Sequence, residues 1–135
     1  MTVSSQHRAA HEAAISTLTV RLALPPSVNS IWRATIGRNG KPRTYRARTY
    51  AAWMHTAAWT VKEAVTRKGP IIGDVSVEVY LHPRRGDLDN RLKAICDALV
   101  QGGAITDDDA ITRLYATWDS GGDVHKGAVV MVKPA

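Results

Sequence analysis

Residues 74–99 read DVSVEVYLHPRRGDLDNRLKAICDAL, and the period of their hydrophobic pattern changes partway along. From Asp74 to Leu81 apolar and polar residues alternate, which predicts a half-buried β-strand. Apolar residues then recur at three- and four-residue steps, which predicts a helix with one buried face. That face comprises Leu88, Leu92, Ile95 and Leu99. Gly102-Gly103 supplies a plausible C-terminal stop for this helix.

Aspartates stand on both sides of this predicted helix. Asp87 and Asp89 lie where the helix begins, and Lys93 follows one turn later. Asp107-Asp108-Asp109 comes shortly after the helix ends. Crowded carboxylates oppose one another's ionisation, and a cation relieves that cost. Because Mg²⁺ usually binds through one or two carboxylates together with phosphate oxygens, the pattern favours a metal site that acts on a phosphate backbone.

Phosphodiester hydrolysis gives these residues a chemical role. The reaction needs a nucleophilic water and a stabilised leaving oxygen, and two Mg²⁺ ions about 4 Å apart can supply both. Asp87, Asp89 and one of the later aspartates would hold the ions. Lys93 would neutralise developing charge or position the attacking water.

A plainer interpretation of the same residues stays open. Asp at the start of a helix is a good N-cap and suits the positive end of the helix dipole. Asp89 and Lys93 are spaced as an ordinary helix ion pair, and the triple aspartate would then be a solvated turn. Asp-x-Asp is a weak signal by itself, and the chain has no Walker-type, His-Glu-x-x-His or Gly-x-Ser-x-Gly motif.

The chain before this region is basic and aromatic. Alternation from Thr17 to Leu24 predicts a strand, which Pro25-Pro26 ends. Residues 32–36 and 42–46 are predicted to form the two arms of a basic hairpin around Asn39-Gly40. The basic side chains of this hairpin would contact phosphates, while Trp32 and Tyr45 would either stack on bases or pack beneath the hairpin.

A second helix is predicted from Tyr50 to Lys68. Thr49 is a suitable N-cap, and apolar residues recur along one stripe of this segment. The stripe comprises Tyr50, Trp53, Met54, Ala57, Val61, Ala64 and Val65. Trp53 and Trp59 are expected in the core.

Two further strands, Ile111 to Trp118 and Lys126 to Lys133, complete the predicted elements. We therefore expect an α+β (mixed α/β) fold in which one mixed sheet packs against two helices. Residues 1–16 are expected to be an N-terminal tail, and residues 17–135 a single domain.

Charge is distributed unevenly along the 135 residues, whose net charge is +6. No Asp or Glu occurs from Ala13 to Lys62, whereas ten of the twelve acids lie between Asp74 and Asp123. A basic half beside an acidic half suits a protein that attracts a polyanion and holds metal at one point on it, although a basic solvated surface explains the excess equally well. The single cysteine, Cys96, excludes an internal disulfide and a cysteine-based zinc site. With no membrane span or signal peptide in the sequence, we expect a cytoplasmic protein.

Two segments resemble the RusA family of Holliday junction resolvases, which are small proteins of bacteria and their phages. Leu24-Pro25-Pro26-Ser27-Val28-Asn29 is similar to the family's proline-rich segment with its Asn. Asp87-Leu88-Asp89-Asn90-Arg91-Leu92-Lys93 is the more specific match, with Asp97-Ala98-Leu99 behind it and Gly103-Ala104-Ile105-Thr106-Asp107-Asp108 closing it. The resemblance covers roughly residues 18–118.

The resemblance implies a homodimer with Mg²⁺-dependent active sites, with Mn²⁺ as a possible substitute, that nicks two opposed strands of a four-way DNA junction in recombination and repair. By residue-to-residue correspondence, the catalytic set would be Asp87, Asp89, Lys93 and Asp108. The metal ligands would be Asp87, Asp89, Asp108 and the adjacent Asp107, with Asp109 blurring which of the three is the third ligand. The DNA-contacting residues would be Asn29, Arg33, Arg38, Lys41, Arg43, Arg46, Arg48, Arg84 and Arg85. The alternatives are a non-catalytic DNA-binding module and a nuclease with a broader preference for branched DNA.

Overall fold

The computed structural model defines a mixed sheet, a separate two-stranded ribbon and two helices. It describes residues 17–27, 32–36, 42–46, 48–84, 86–119 and 126–135. For 32–36 and 42–46 it gives the backbone pairing. The predicted N-terminal tail, residues 1–16, lies outside the described residues.

The main sheet has four strands: β1 (Leu18–Leu22), β4 (Val75–Leu81), β5 (Ile111–Trp118) and β6 (Ala128–Pro134). Their order in the sheet is β1-β6-β4-β5. β6 lies antiparallel between β1 and β4, whereas β5 pairs parallel with β4 at the sheet edge. Successive residues of a strand point to opposite faces, and the fully buried face of β4 carries Val75, Val77, Val79 and Leu81. The predicted mixed sheet is therefore confirmed.

Two helices complete the core against that buried face. The first, α1, spans Arg48–Lys68, and the second, α2, spans Asp89–Gln101. α1 begins one residue before the expected cap Thr49, so Arg48 is its first residue. α2 buries Ala94, Ile95, Ala98 and Leu99, while the predicted Leu88 and Leu92 are partly buried at its margin.

The prediction that Trp59 belongs to the core is wrong. Its side chain is 59% exposed, and its indole Nε1 donates a hydrogen bond to Glu63 Oε1 at 2.7 Å. The buried stripe of α1 runs through Tyr50, Met54 and Ala57, and at about 100° per residue Trp59 falls on the opposite side of the helix. Trp53 is partly buried, and its Nε1 donates to the Ala23 carbonyl at 2.9 Å.

The ribbon consists of β2 (Trp32–Ile36) and β3 (Pro42–Arg46), which pair antiparallel. These bounds are the ones that the sequence predicts for the hairpin arms. Register places Trp32 opposite Arg46 and Ile36 opposite Pro42. The ribbon forms its own two-stranded sheet rather than extending the main one.

The connection from β4 through α2 to β5 determines where the aspartates lie. Because β4 and β5 run parallel, the last residue of β4 and the first residue of β5 lie at opposite ends of the strands. The connection through α2 runs back from one end to the other. With 13 residues, α2 is about 20 Å long. Asp87 and Asp89 are thus at one end of α2, and Asp107, Asp108 and Asp109 follow its other end.

Candidate active site

A short turn after α2 gathers three carboxylates. Asp107 caps a single 3₁₀ turn, Asp108–Ala110, and its Oδ1 accepts a hydrogen bond from the Asp109 backbone N–H at 3.3 Å. The ligand oxygens of Asp107, Asp108 and Asp109 lie within 4.8 Å of one another, and all three residues are exposed. Within the described ranges, no other group of three or more His, Cys, Asp or Glu side chains comes this close together.

Asp107 and Asp108 perturb each other's protonation. A side-chain hydrogen bond that the Asp107 carboxylate accepts from Asp108, reinforced by the charge of Asp107, raises the pKa of Asp108, whereas the same hydrogen bond lowers the pKa of Asp107. The charge of Asp109 also raises the pKa of Asp108, and the Lys93 ammonium opposes that rise. Such mutual repulsion is what a divalent cation relieves, and carboxylate oxygens are the ligands that Mg²⁺ prefers. The donor set therefore fits a hard divalent ion.

The backbone at the C-terminus of α2 delivers the chain to this turn. Gly103 has φ +82°, its N–H donates to the Val100 carbonyl, and the Ala104 N–H donates to the Leu99 carbonyl. These two bonds form a Schellman C-cap, which confirms the expected stop at Gly102-Gly103. The Ile71 N–H then donates to the Ala104 carbonyl at 3.1 Å, which ties the segment to the chain before β4.

One face of α2 lies beside the carboxylate turn. Asp97, Val100, Gln101, Asp107 and Asp108 line an open cleft of about 340 Å³. The Lys93 ammonium donates to Asp97 Oδ1 at 3.1 Å, and the buried Tyr50 hydroxyl donates to Asp97 Oδ2 at the same distance. The hydrogen bond to Asp97 is the main cause of a raised pKa at Lys93, with smaller contributions from the charges of Asp97 and Asp108.

Asp87 and Asp89 are placed differently. Asp89 is the first residue of α2, but the cap position is Leu88, and no side-chain hydrogen bond caps the helix. The ordinary ion-pair interpretation requires Lys93 to pair with Asp89. In the structure Lys93 pairs with Asp97 instead. Both residues are exposed and make no side-chain hydrogen bond or ion pair within the part of the chain that the structure describes. The structure thus brings Asp97, Asp107 and Asp108 to one cleft, with Lys93 bonded to Asp97, and it does not bring Asp87 and Asp89 into the carboxylate cluster.

Most of the predicted DNA-contacting residues have no described side chain. Asn29, Arg38, Lys41 and Arg85 lie outside the described residues. Arg33, Arg43 and Arg46 lie on the paired strands of the ribbon. Arg48 and Arg84 are exposed, at the start of α1 and just after β4.

Two long-range hydrogen bonds around the site are not predictable from the sequence. The Arg91 guanidinium donates through Nη1 to the Pro25 carbonyl at 2.6 Å, which joins the start of α2 to the proline-rich segment after β1. Burial is the main cause of a lowered pKa at Arg91, and the charge of Arg84 adds to it. The hydrogen bond from Tyr50 to Asp97 joins residues 47 positions apart, so the sequence does not indicate it. The sequence shows only the four-residue spacing of Lys93 and Asp97.

Converging carboxylates beside a lysine are characteristic of enzymes that hydrolyse phosphodiester bonds with divalent ions. The chain belongs to the RusA family of endodeoxyribonucleases: the family model described as Endodeoxyribonuclease RusA matches residues 24–133. At the level of the family, this membership means an endonuclease that resolves Holliday junctions. A search of curated protein sequences finds no match. No helix in the described ranges is long and apolar enough to span a bilayer.

Proposed function

We propose that this protein is a Mg²⁺-dependent endonuclease that resolves four-way DNA junctions by paired, symmetric nicks in recombination and repair. The observation that carries the proposal is the cluster of Asp107, Asp108 and Asp109 beside Lys93, within a chain of the RusA family. A bound divalent ion would supply Lewis acidity and an activated water. Lys93 would neutralise charge that develops on the scissile phosphate.

The proposed ligands are Asp87, Asp89 and Asp108, with Asp107 beside them. Support comes from Asp87 and Asp89, which have no structural role among the described residues. Neither Asp87 nor Asp89 caps α2, and neither is paired to a described cation, so their carboxylates are available to an ion. Domain limits of 17–135 and a cytoplasmic site of action in a bacterium or a phage-infected cell remain predictions that accompany this activity.

A second copy of the chain completes the proposed metal site. The parallel pairing of β4 and β5 separates Asp89 from Asp108 along α2, and the charges that shift the pKa of Asp108 come from Asp107, Asp109 and Lys93. In an isologous contact about a two-fold axis, a contact of one patch of the first subunit with a different patch of the second is repeated with the subunits exchanged. The start of α2 in each subunit can therefore meet the carboxylate turn of the other. In a homodimer, Asp87 and Asp89 of one subunit would thus meet Asp108 of the other, giving two equivalent sites for two opposed strands.

Cleavage of a synthetic junction tests the activity. Purified protein with a four-way junction should yield paired nicks in Mg²⁺ or Mn²⁺ and none in EDTA. A parallel panel of forks, flaps and linear duplex distinguishes a junction resolvase from a broader branched-DNA nuclease. Junction binding without any nicking in either metal would instead support a non-catalytic DNA-binding module.

Mixing two inactive variants tests whether the site is shared. In a 1:1 mixture of D89N and D108N subunits, a heterodimer with shared sites contains one site whose ligands are all native. Nicking of one strand should therefore return upon mixing and subunit exchange. If each site belonged to one subunit, both sites of the heterodimer would lack a ligand and the mixture would stay inactive.

The DNA-contacting role of the basic segment is proposed from its charge. No acidic residue lies between Ala13 and Lys62, and phosphate contacts release counterions, so affinity for a junction should fall steeply as salt rises. Between 50 and 200 mM salt, we expect a loss of roughly 10³-fold or more if six or more phosphates are contacted. Fluorescence anisotropy across a salt series in Ca²⁺ measures the slope. A flat slope would remove the ribbon from the interface.

A further inference from the structure

Both oxygens of the Asp97 carboxylate are occupied. Oδ1 accepts from the Lys93 ammonium at 3.1 Å, and Oδ2 accepts from the Tyr50 hydroxyl at 3.1 Å. A carboxylate that is held through both oxygens cannot rotate without losing one bond. The position of Asp97 therefore determines where the end of the Lys93 side chain lies.

These contacts lead from the core to the surface in two steps. Tyr50 is only 1% exposed and belongs to the buried stripe of α1. The Asp97 side chain is 26% exposed, and that of Lys93 is 58% exposed. A rigid ring in the core thus anchors an ammonium group that faces solvent.

The anchored ammonium stands beside the carboxylate turn. Asp97 lines the same cleft as Asp107 and Asp108, and the Lys93 ammonium is bonded to this Asp97. An exposed lysine has high side-chain entropy, and an exposed ion pair by itself restrains it weakly. The second bond, from Tyr50, makes Asp97 a stationary acceptor rather than a mobile one.

We propose that Asp97 is a positioning residue that holds the Lys93 ammonium at the metal cluster, and that Tyr50 anchors Asp97. The inference deepens the proposed function and rests on it, because it assigns a task to residues around the same site. A misplaced catalytic group costs rate even when substrate binding is intact. Loss of Asp97 or of the Tyr50 hydroxyl should therefore slow cleavage and leave junction affinity unchanged.

The other face of the sheet carries a matched control. Glu78 accepts from the Tyr80 hydroxyl at 3.2 Å and from the Lys133 ammonium at 3.3 Å. Glu78 is 27% exposed, close to the value for Asp97, but it alternates with the buried Val77 and Val79 and so faces away from the helices. E78Q removes a carboxylate charge and Y80F removes a tyrosine hydroxyl, as D97N and Y50F do. Glu78, Tyr80 and Lys133 form the same type of hydrogen-bonded group, but on the face of the sheet away from the helices.

The experiment measures single-turnover cleavage of a four-way junction and, separately, its Kd in Ca²⁺. D97N should slow cleavage about tenfold or more, Y50F should slow it less, and Kd should stay within about twofold. E78Q and Y80F should leave both quantities unchanged. Y50F keeps the buried ring, so it tests the hydroxyl even if D97N folds poorly.

Combination with K93M separates positioning from other roles. If Asp97 acts through Lys93, then D97N adds no further loss in the K93M background, because the group being positioned is already gone. A further loss there would mean that Asp97 contacts metal or substrate itself, which overturns the proposal. Unchanged cleavage by D97N in an otherwise native chain would overturn it too, while the endonuclease proposal would stand. Failure of the native protein to cut any junction in Mg²⁺ or Mn²⁺ would overturn both.

Discussion

The aspartates before α2 and those after it are alike in exposure but differ in how they are held. Asp107 has a local task, since its carboxylate caps the turn that brings Asp108 and Asp109 beside it. Asp87 and Asp89 cap nothing and pair with no described residue. The later group is therefore organised by its own backbone, whereas the earlier group has no organising contact within the described part of the chain.

Under the proposed function, the two groups would need different contacts to form a metal site. The later group already concentrates negative charge, as the raised pKa of Asp108 shows. Under the same proposal, a cation, a phosphate or a second subunit would give the earlier group a fixed arrangement. A site assembled from one organised half and one unorganised half would bind its ion only when both are present.

The largest expected effect tests whether both groups serve one reaction. D89N and D108N each remove one carboxylate charge while keeping side-chain size. Each should lower single-turnover cleavage in Mg²⁺ by at least about 100-fold, because loss of a direct ligand should cost more than loss of a supporting group. Circular dichroism and junction affinity in Ca²⁺ should match the native protein. Native cleavage by D89N would restrict the reaction to the group after α2.

Packing at the end of α2 gives the second test, on the element that separates the two groups. A Cβ at Gly102 would lie 2.5 Å from Val61 Cβ and 2.8 Å from the Ala58 carbonyl oxygen on α1. G102A should therefore destabilise the fold by about 1–3 kcal/mol through overpacking. Urea unfolding measures the change. The neighbouring G103N is the comparison, because nothing lies within 4 Å of that position and its cost is limited to backbone strain at φ +82°, which Asn tolerates better than most residues; its loss of stability should therefore be smaller than that of G102A.

A smaller effect should distinguish the groups by stability alone. D107A removes the cap of the 3₁₀ turn, so its melting temperature should fall by about 2 °C, whereas D107N keeps an acceptor oxygen and should melt like the native protein. D87A and D89A should show no such decrease, since no described contact is lost. Differential scanning calorimetry without metal compares the four variants. Equal losses at Asp89 and Asp107 would contradict the contrast drawn between the groups.

Local patterns predicted the elements well because they depend on neighbours along the chain. Alternation was sufficient for β4, and Ile111–Trp118 and both ribbon strands have the predicted bounds. The prediction for Trp59 is wrong because aromatic character alone does not determine burial, and its angular position on α1 lies opposite the buried stripe. Membership of the RusA family, predicted from the segments around Asn29 and Asp87, is confirmed.

Long-range arrangement is what the sequence could not supply. Strand order β1-β6-β4-β5 depends on pairings between distant segments, which leave no trace in periodicity. The bond from Tyr50 to Asp97 also joins two helices that are far apart in sequence. Likewise, the aspartate spacing predicted one cluster, but Asp87 and Asp89 lie at the start of α2, whereas Asp107 and Asp108 share a cleft with its last turns.

If the proposed site is shared between two subunits, the parallel pairing of β4 and β5 would also affect control of the enzyme in the cell. If neither end of α2 makes a complete cutting centre, then a freshly made chain is harmless to the chromosome until it meets another. At low abundance, nicking would scale with the square of protein concentration, so dilution alone would silence it. Safety against stray breaks would then be built into the order of two adjacent strands, with no inhibitor required.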